Sequence, residues 1–175
     1  GCEFDTPSTA LAYVATQSRS LARQWTVVVY GGVTSNSLTP NMSYTESSLS
    51  VPSYTTLRGF PGSAPSGQSI NSTSNPVIEL TATSGTQLTL GTASGVSGLT
   101  FYTTSTLTGD TVMAKTTGSD VNMLENIQLW GNAATGAFAF DILSCESTSI
   151  VALNLNTIRG QNGTSASVRN VVVKA

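Results

Sequence analysis

Apolar positions in the second half of the chain return in a fixed phrase of six: apolar, any, small or Asn, apolar, any, apolar. Its copies are Val96–Phe101, Leu124–Leu129, Ile150–Leu155 and Val168–Val173. Their starts lie 28, 26 and 18 residues apart. In each copy the last two apolar residues flank one intervening position, which is the period of a β-strand. Recurrence at such spacing predicts one supersecondary unit stacked on itself, with loops absorbing the length differences.

The rest of the chain divides into one helix and further short strands. Thr6 suits an N-cap and Pro7 the first helical position. Leu11, Val14, Ser18, Leu21 and Trp25 follow at helical spacing, so a helix is expected over 7–23, inside a capping segment 6–24. Trp25–Tyr30 reads as a strand stopped by Gly31-Gly32, and residues 34–50 as polar loop. A strand over Tyr54–Arg58 ends at Gly59-Phe60-Pro61-Gly62. Residues 61–76, rich in Ser, Gly, Pro and Asn, form the longest expected loop. Strands are then expected at Val77–Thr81, Gln87–Leu90, Thr111–Lys115 and Ala137–Ile142, between the phrases. All 175 residues read as a single domain. The chain opens without Met and so reads as processed, or as a fragment of a longer chain.

Short strands recurring about every 26 residues match the coils of a parallel β-helix. A sandwich of antiparallel hairpins competes, but it would not require the phrase to recur in one register. The opening order is a helix, then Thr26-Val-Val-Val-Tyr-Gly-Gly-Val33, then Val51-Pro-Ser-Tyr-Thr-Thr-Leu-Arg-Gly59. It resembles the start of pectin-lyase-like right-handed β-helix proteins, in which a capping helix precedes a strand, a Gly turn and a Thr-Leu-Arg-Gly strand. The later phrases resemble successive coils of that fold, and the likeness runs from about residue 6 to 173. It implies an all-β, single-stranded right-handed parallel β-helix with an N-terminal capping α-helix. That superfamily holds polysaccharide lyases and hydrolases, phage tailspikes and many surface or virion proteins, so fold does not settle function.

Composition narrows the choice. Charged residues make up 9% of the chain and the net charge is −2, which speaks against nucleic acid as a partner and against a polybasic membrane anchor. No apolar run reaches the ~20 residues of a membrane span. Ser and Thr supply roughly 30% of the residues, a surface polar through hydroxyls that is typical of secreted and virion proteins. Such a surface resists self-association poorly, which suits a protein that assembles. Of the two cysteines, Cys145 follows Phe138, Phe140 and Ile142 and reads as a buried small side chain. Pairing with Cys2 cannot be read from sequence.

Catalytic chemistry finds little to work with. The chain has no His, which removes imidazole-activated nucleophiles and most zinc sites. The carboxylates of the repeats are Asp110, Asp120, Glu125, Asp141 and Glu146, and none falls beside a second acid as glycoside hydrolysis requires. No calcium-binding acid cluster appears either, so neither metal nor cofactor is expected, and the chain leans away from being an enzyme. If the phrases stack in register, Glu125 adjoins Ser97 and Val151. The position between the last two apolar residues then holds Thr100, Gln128 and Asn154, and the next holds Tyr102 and Trp130. An aromatic pair beside amides and hydroxyls suits packing under a loop or in the core, a neighbouring chain, or a carbohydrate ring. The final strand, with Val171 and Val173, is followed only by Lys174 and Ala175, and an uncovered last coil would offer its edge to another chain.

These readings converge on a non-enzymatic structural protein of a virion, fibre or extracellular assembly, whose partners are other protein chains. A carbohydrate-binding or polysaccharide-cleaving β-helix of tailspike type is the alternative.

Overall fold

A computed structural model describes residues 3–30, 42–60, 75–107, 112–116, 121–133, 141–144 and 150–161. Among these described residues one helix, α1 (Pro7–Ala15), precedes twelve strands. These are β1 (Trp25–Tyr30), β2 (Met42–Glu46), β3 (Leu49–Val51), β4 (Thr55–Phe60), β5 (Val77–Leu80) and β6 (Thr86–Leu90). They continue with β7 (Gly95–Ser97), β8 (Thr100–Leu107), β9 (Val112–Thr116), β10 (Val121–Ala133), β11 (Asp141–Ser144) and β12 (Ile150–Gln161). The class is all-β.

Every pairing between these strands is parallel; seven of the ten join strands three places apart in the chain, and the three others, made by β10 and β11, join strands two places apart. One ladder runs β1, β4, β7 and the first half of β10. A second runs β2, β5, β8 and the second half of β10. A third runs β3, β6, β9 and β11. β12 pairs along the whole of β10 and so extends the first two ladders together. Parallel neighbours need a long crossover. Here the crossover is made of the strands of the other two ladders, which is the stacked unit that the repeating phrase predicts.

The core is the set of inward columns. Val27, Leu57, Val96 and Leu124 line the first ladder, each 8% exposed or less. Ile78 and Phe101 pair across the second, and Leu49 with Leu88 and Val51 with Leu90 across the third. Each fully buried Leu or Phe stabilises the fold by about 2 kcal/mol relative to exposure. The alternation B-e-B that sends Val27 and Val29 inward turns Val28 and Tyr30 out.

α1 packs Ala10, Leu11 and Val14 into this core against β1 and β3. Thr6 caps it by accepting from the Thr9 N–H at 3.2 Å. The nearly buried Glu46 of β2 accepts from the Ser8 N–H at 3.0 Å, placing a carboxylate at the positive helix end. The helix stops at Ala15 rather than running to residue 23. The Thr16 hydroxyl donates to the Tyr13 carbonyl at 2.7 Å, and the Gln17 N–H closes a tight turn on Val14. The helical spacing of Leu21 is therefore fortuitous: Leu21 is 73% exposed, and Trp25 opens a strand. Residues 42–50, within the expected loop 34–50, form β2 and most of β3, because ladder pairing outweighs their weak apolar pattern.

Candidate functional site

The corners between ladders position everything on the faces. The β7–β8 corner turns at Gly98, whose φ is +62° and whose N–H donates to the Glu125 carbonyl of the next coil at 3.0 Å. It passes so close over Gly59 that the latter has no room for a side chain. The corner leading into β4 turns at Tyr54 and the one leading into β7 at Ala93, with φ of 58° and 49°. These two corners stack through hydrogen bonds: Trp25 N–H to Tyr54 carbonyl at 3.0 Å, and Tyr54 N–H to Thr92 carbonyl at 2.9 Å. Asn122, fully buried, closes the column by donating from Nδ2 to the Gly91 carbonyl at 2.6 Å and the Ser94 carbonyl at 3.1 Å. Its Oδ1 has no hydrogen-bond partner among the described residues.

The second ladder brings the expected aromatic residues into one register column. Tyr102 pairs with Trp130, as the phrase predicts. The column extends to Glu79 on one side and Arg159 on the other, and Glu79 pairs in turn with Thr45. The Thr45 hydroxyl donates to Glu79 Oε2 at 3.2 Å. Neighbouring positions of such a column lie about 4.8 Å apart. An acid, two aromatics and a guanidinium thus occupy successive strands, each following an apolar column headed by the buried Ile78 and Phe101. Glu79 lies upstream of the first full copy of the phrase, and Arg159 enters the column only through the shifted offset of β12. A signal for Glu79 exists: Pro76-Val77-Ile78 is the second half of a phrase, and Glu79 follows it as Tyr102 follows Phe101.

Three expectations are corrected. Thr100 was expected to face outward, but it is only 1% exposed. Its N–H donates to the Pro76 carbonyl, and Leu99, Thr100 and Phe101 are all buried because the backbone is still turning out of the Gly98 corner. Gln128 pairs with Thr100 as expected. Asn154 does not share that column. It pairs with Glu125, so Glu125 adjoins Ser97 and Asn154 rather than Val151, which pairs with Asn122. The cause is the offset of β12 on β10: Ile150 pairs with Val121 and Leu153 with Leu124, so the third phrase stacks three residues away from the alignment its apolar pattern suggests. Val171, Val173, Cys2, Cys145, Asp110, Asp120 and Glu146 lie outside the described residues.

On the first ladder the structure shows an aromatic pair that no phrase announced. Tyr30 and Phe60 are register partners at the ends of β1 and β4, with ring centroids 5.5 Å apart and planes at 48°. They are 64% and 57% exposed, and Val28 on the same face is 40% exposed. Tyr44 braces the pair from β2, its hydroxyl donating to the Tyr30 carbonyl at 3.3 Å. The signal was available, since both residues end a strand with outward parity.

Among the described residues no group of three or more Cys, Asp or Glu could hold a metal ion, and no helix is long and apolar enough to cross a membrane. Comparison with protein-family models, with curated proteins and with solved structures finds no match for this chain.

Proposed function

We propose that this chain is a right-handed parallel β-helix of the pectin-lyase-like type, serving as a non-enzymatic structural module of a virion, fibre or other extracellular assembly. The three-strand periodicity of the parallel ladders supports the β-helix, and the strong right-handed preference of parallel crossovers supports its hand. The observation that carries the assembly reading is the exposed pair Tyr30 and Phe60, with Val28 beside it. Large apolar side chains grouped on an outer sheet face mark interaction surfaces. A chain with only 9% charged residues does little to repel copies or neighbours there.

Sedimentation velocity of the native chain tests this reading. An assembled species is expected, and Tyr30→Ser with Phe60→Ser should shift it toward monomer with an unchanged far-ultraviolet spectrum. A wild-type chain that stays monomeric across the micromolar range would sink it.

The column Glu79, Tyr102, Trp130 and Arg159 favours the second reading, contact with a polysaccharide. Aromatic residues flanked by hydrogen-bonding groups suit sugar rings. Trp130→Ala should then abolish retention on a glycan array while leaving the oligomeric state unchanged.

A further inference from the structure

A cavity of about 440 Å³ lies between α1 and the β3–β4 corner, a size within the roughly 300–1,000 Å³ of small-molecule sites. Ser50, Ser53 and Thr89 line it with hydroxyls, and Leu11 and Pro52 with apolar surface. Its one charged lining residue is Arg19, half-buried just beyond the helix end. Nε donates to the Gln17 carbonyl at 3.3 Å, Nη1 to the Ser53 carbonyl at 3.4 Å and Nη2 to the Ala15 carbonyl at 3.2 Å. These bonds tie the side chain to both the helix end and the corner, so it is positioned before any ligand arrives.

A guanidinium has five N–H donors, so one remains on each terminal nitrogen. Among the described residues no carboxylate lines the cavity, and backbone carbonyls bring only partial charge, so no lining counter-ion neutralises the guanidinium. A fixed, unneutralised guanidinium beside hydroxyls matches a carboxylate, which it can grip with paired hydrogen bonds. Phosphate fits less well, because its second charge finds no second cation in the lining. We propose that this cavity binds a small organic monocarboxylate, with Arg19 holding the carboxylate and the body of the molecule lying along Leu11 and Pro52. This site is independent of the assembly reading.

Calorimetric titration of the full chain with hexanoate tests it, with hexan-1-ol, hexylamine and inorganic phosphate as controls. Hexanoate should bind one to one and at least tenfold more tightly than any control. Arg19→Lys keeps the charge but loses the fork, and should weaken hexanoate several-fold. Arg19→Gln should reduce it to the level of hexanol. Ala12→Phe fills the cavity from the exposed side of the helix and should block hexanoate with Arg19 intact. If Arg19→Gln fails to fold, the hexanol comparison and Ala12→Phe still decide. Absence of saturable binding, equal affinity for hexanol, or hexanoate binding that survives Ala12→Phe would each overturn the proposal.

Discussion

Gly59→Ala puts the packing of the first corner to a direct test. Gly59 is buried in β4, under the Gly98 corner of the next coil. A Cβ at Gly59 would stand 1.9 Å from the Gly98 carbonyl oxygen and 2.8 Å from its carbon. A tolerable C···O approach is roughly 3.3 Å, so the corner must retreat by more than 1 Å. That retreat strains the Gly98 N–H bond to the Glu125 carbonyl, worth about 1 kcal/mol. Overpacking adds about 1–3 kcal/mol. The smaller entropy of an unfolded Ala returns about 0.4–1 kcal/mol. The net loss should be about 2–3 kcal/mol, or a Tm lower by roughly 5–10 °C for a chain of this size. Urea titration followed by tryptophan fluorescence measures it, with an unchanged slope showing that the denatured state is not involved. Gly85→Ala is the control. Gly85 has φ of +72° but no atom within 4 Å of a new Cβ, so it reports backbone strain without collision and should cost only about 1 kcal/mol. A Gly59→Ala variant within 0.5 kcal/mol of wild type, or one less damaging than Gly85→Ala, would refute the close approach of the coils.

Ala93→Gly should stabilise the chain by about 0.5–1 kcal/mol in the same urea assay. It removes the left-handed penalty at φ 49° and gives back part of the gain as unfolded-state entropy. Glu46→Gln should cost about 0.5–1 kcal/mol, measured by thermal melting, because the Ser8 N–H keeps an acceptor but the helix end loses its charge. Asn122→Asp should destabilise more as pH rises. Burial raises the new carboxyl's pKa in the folded state, so the fold binds more protons than the unfolded chain, and stability falls between the unfolded and the folded pKa. Melting curves at pH 4 and pH 8 check this, and a variant equally stable at both would count against a sealed corner. Asn122→Ala, uncharged, should cost about 2 kcal/mol at either pH.

The legible part of this molecule is the part where side chains alternate on a flat pleat. β1, β4 and the pairing of Tyr102 with Trp130 follow from that alternation alone. So does the start of α1, where Thr6 and Pro7 supply cap and first turn. The helix end was not legible. No Gly follows Ala15, and the stop is made by the Thr16 hydroxyl and the Arg19 guanidinium, which bind carbonyls a spacing rule does not see. β2 and β3 were hidden because Ser and Thr serve strands and loops alike. The Arg19 cavity was beyond reach because it joins residues of α1 to residues of β3, β6 and their corners.

Register was readable on the faces and lost at the corners, and the reason bears on how such a stack specifies itself. The apolar pattern alone leaves more than one offset open, because Ile150 and Leu153 put an apolar residue at either end of a three-residue slip. The apolar pattern of Ile150–Leu155 fits Leu124–Leu129 on paper, yet Leu153 pairs with Leu124 and Ile158 with Leu129. Among the preceding strands the stacking also carries directional bonds. The Asn122 amide reaches the Gly91 and Ser94 carbonyls, the Tyr54 N–H meets the Thr92 carbonyl, and the Thr92 N–H meets the Ser53 hydroxyl at 3.1 Å. A slip there would break them, and leaving a buried donor unmet costs about 1–3 kcal/mol. Hydrophobic burial therefore drives these coils to stack, while buried polar groups at the corners choose the offset. The faces, relieved of that task, are free to carry exposed side chains such as Tyr30 and Phe60 that play no part in choosing the offset.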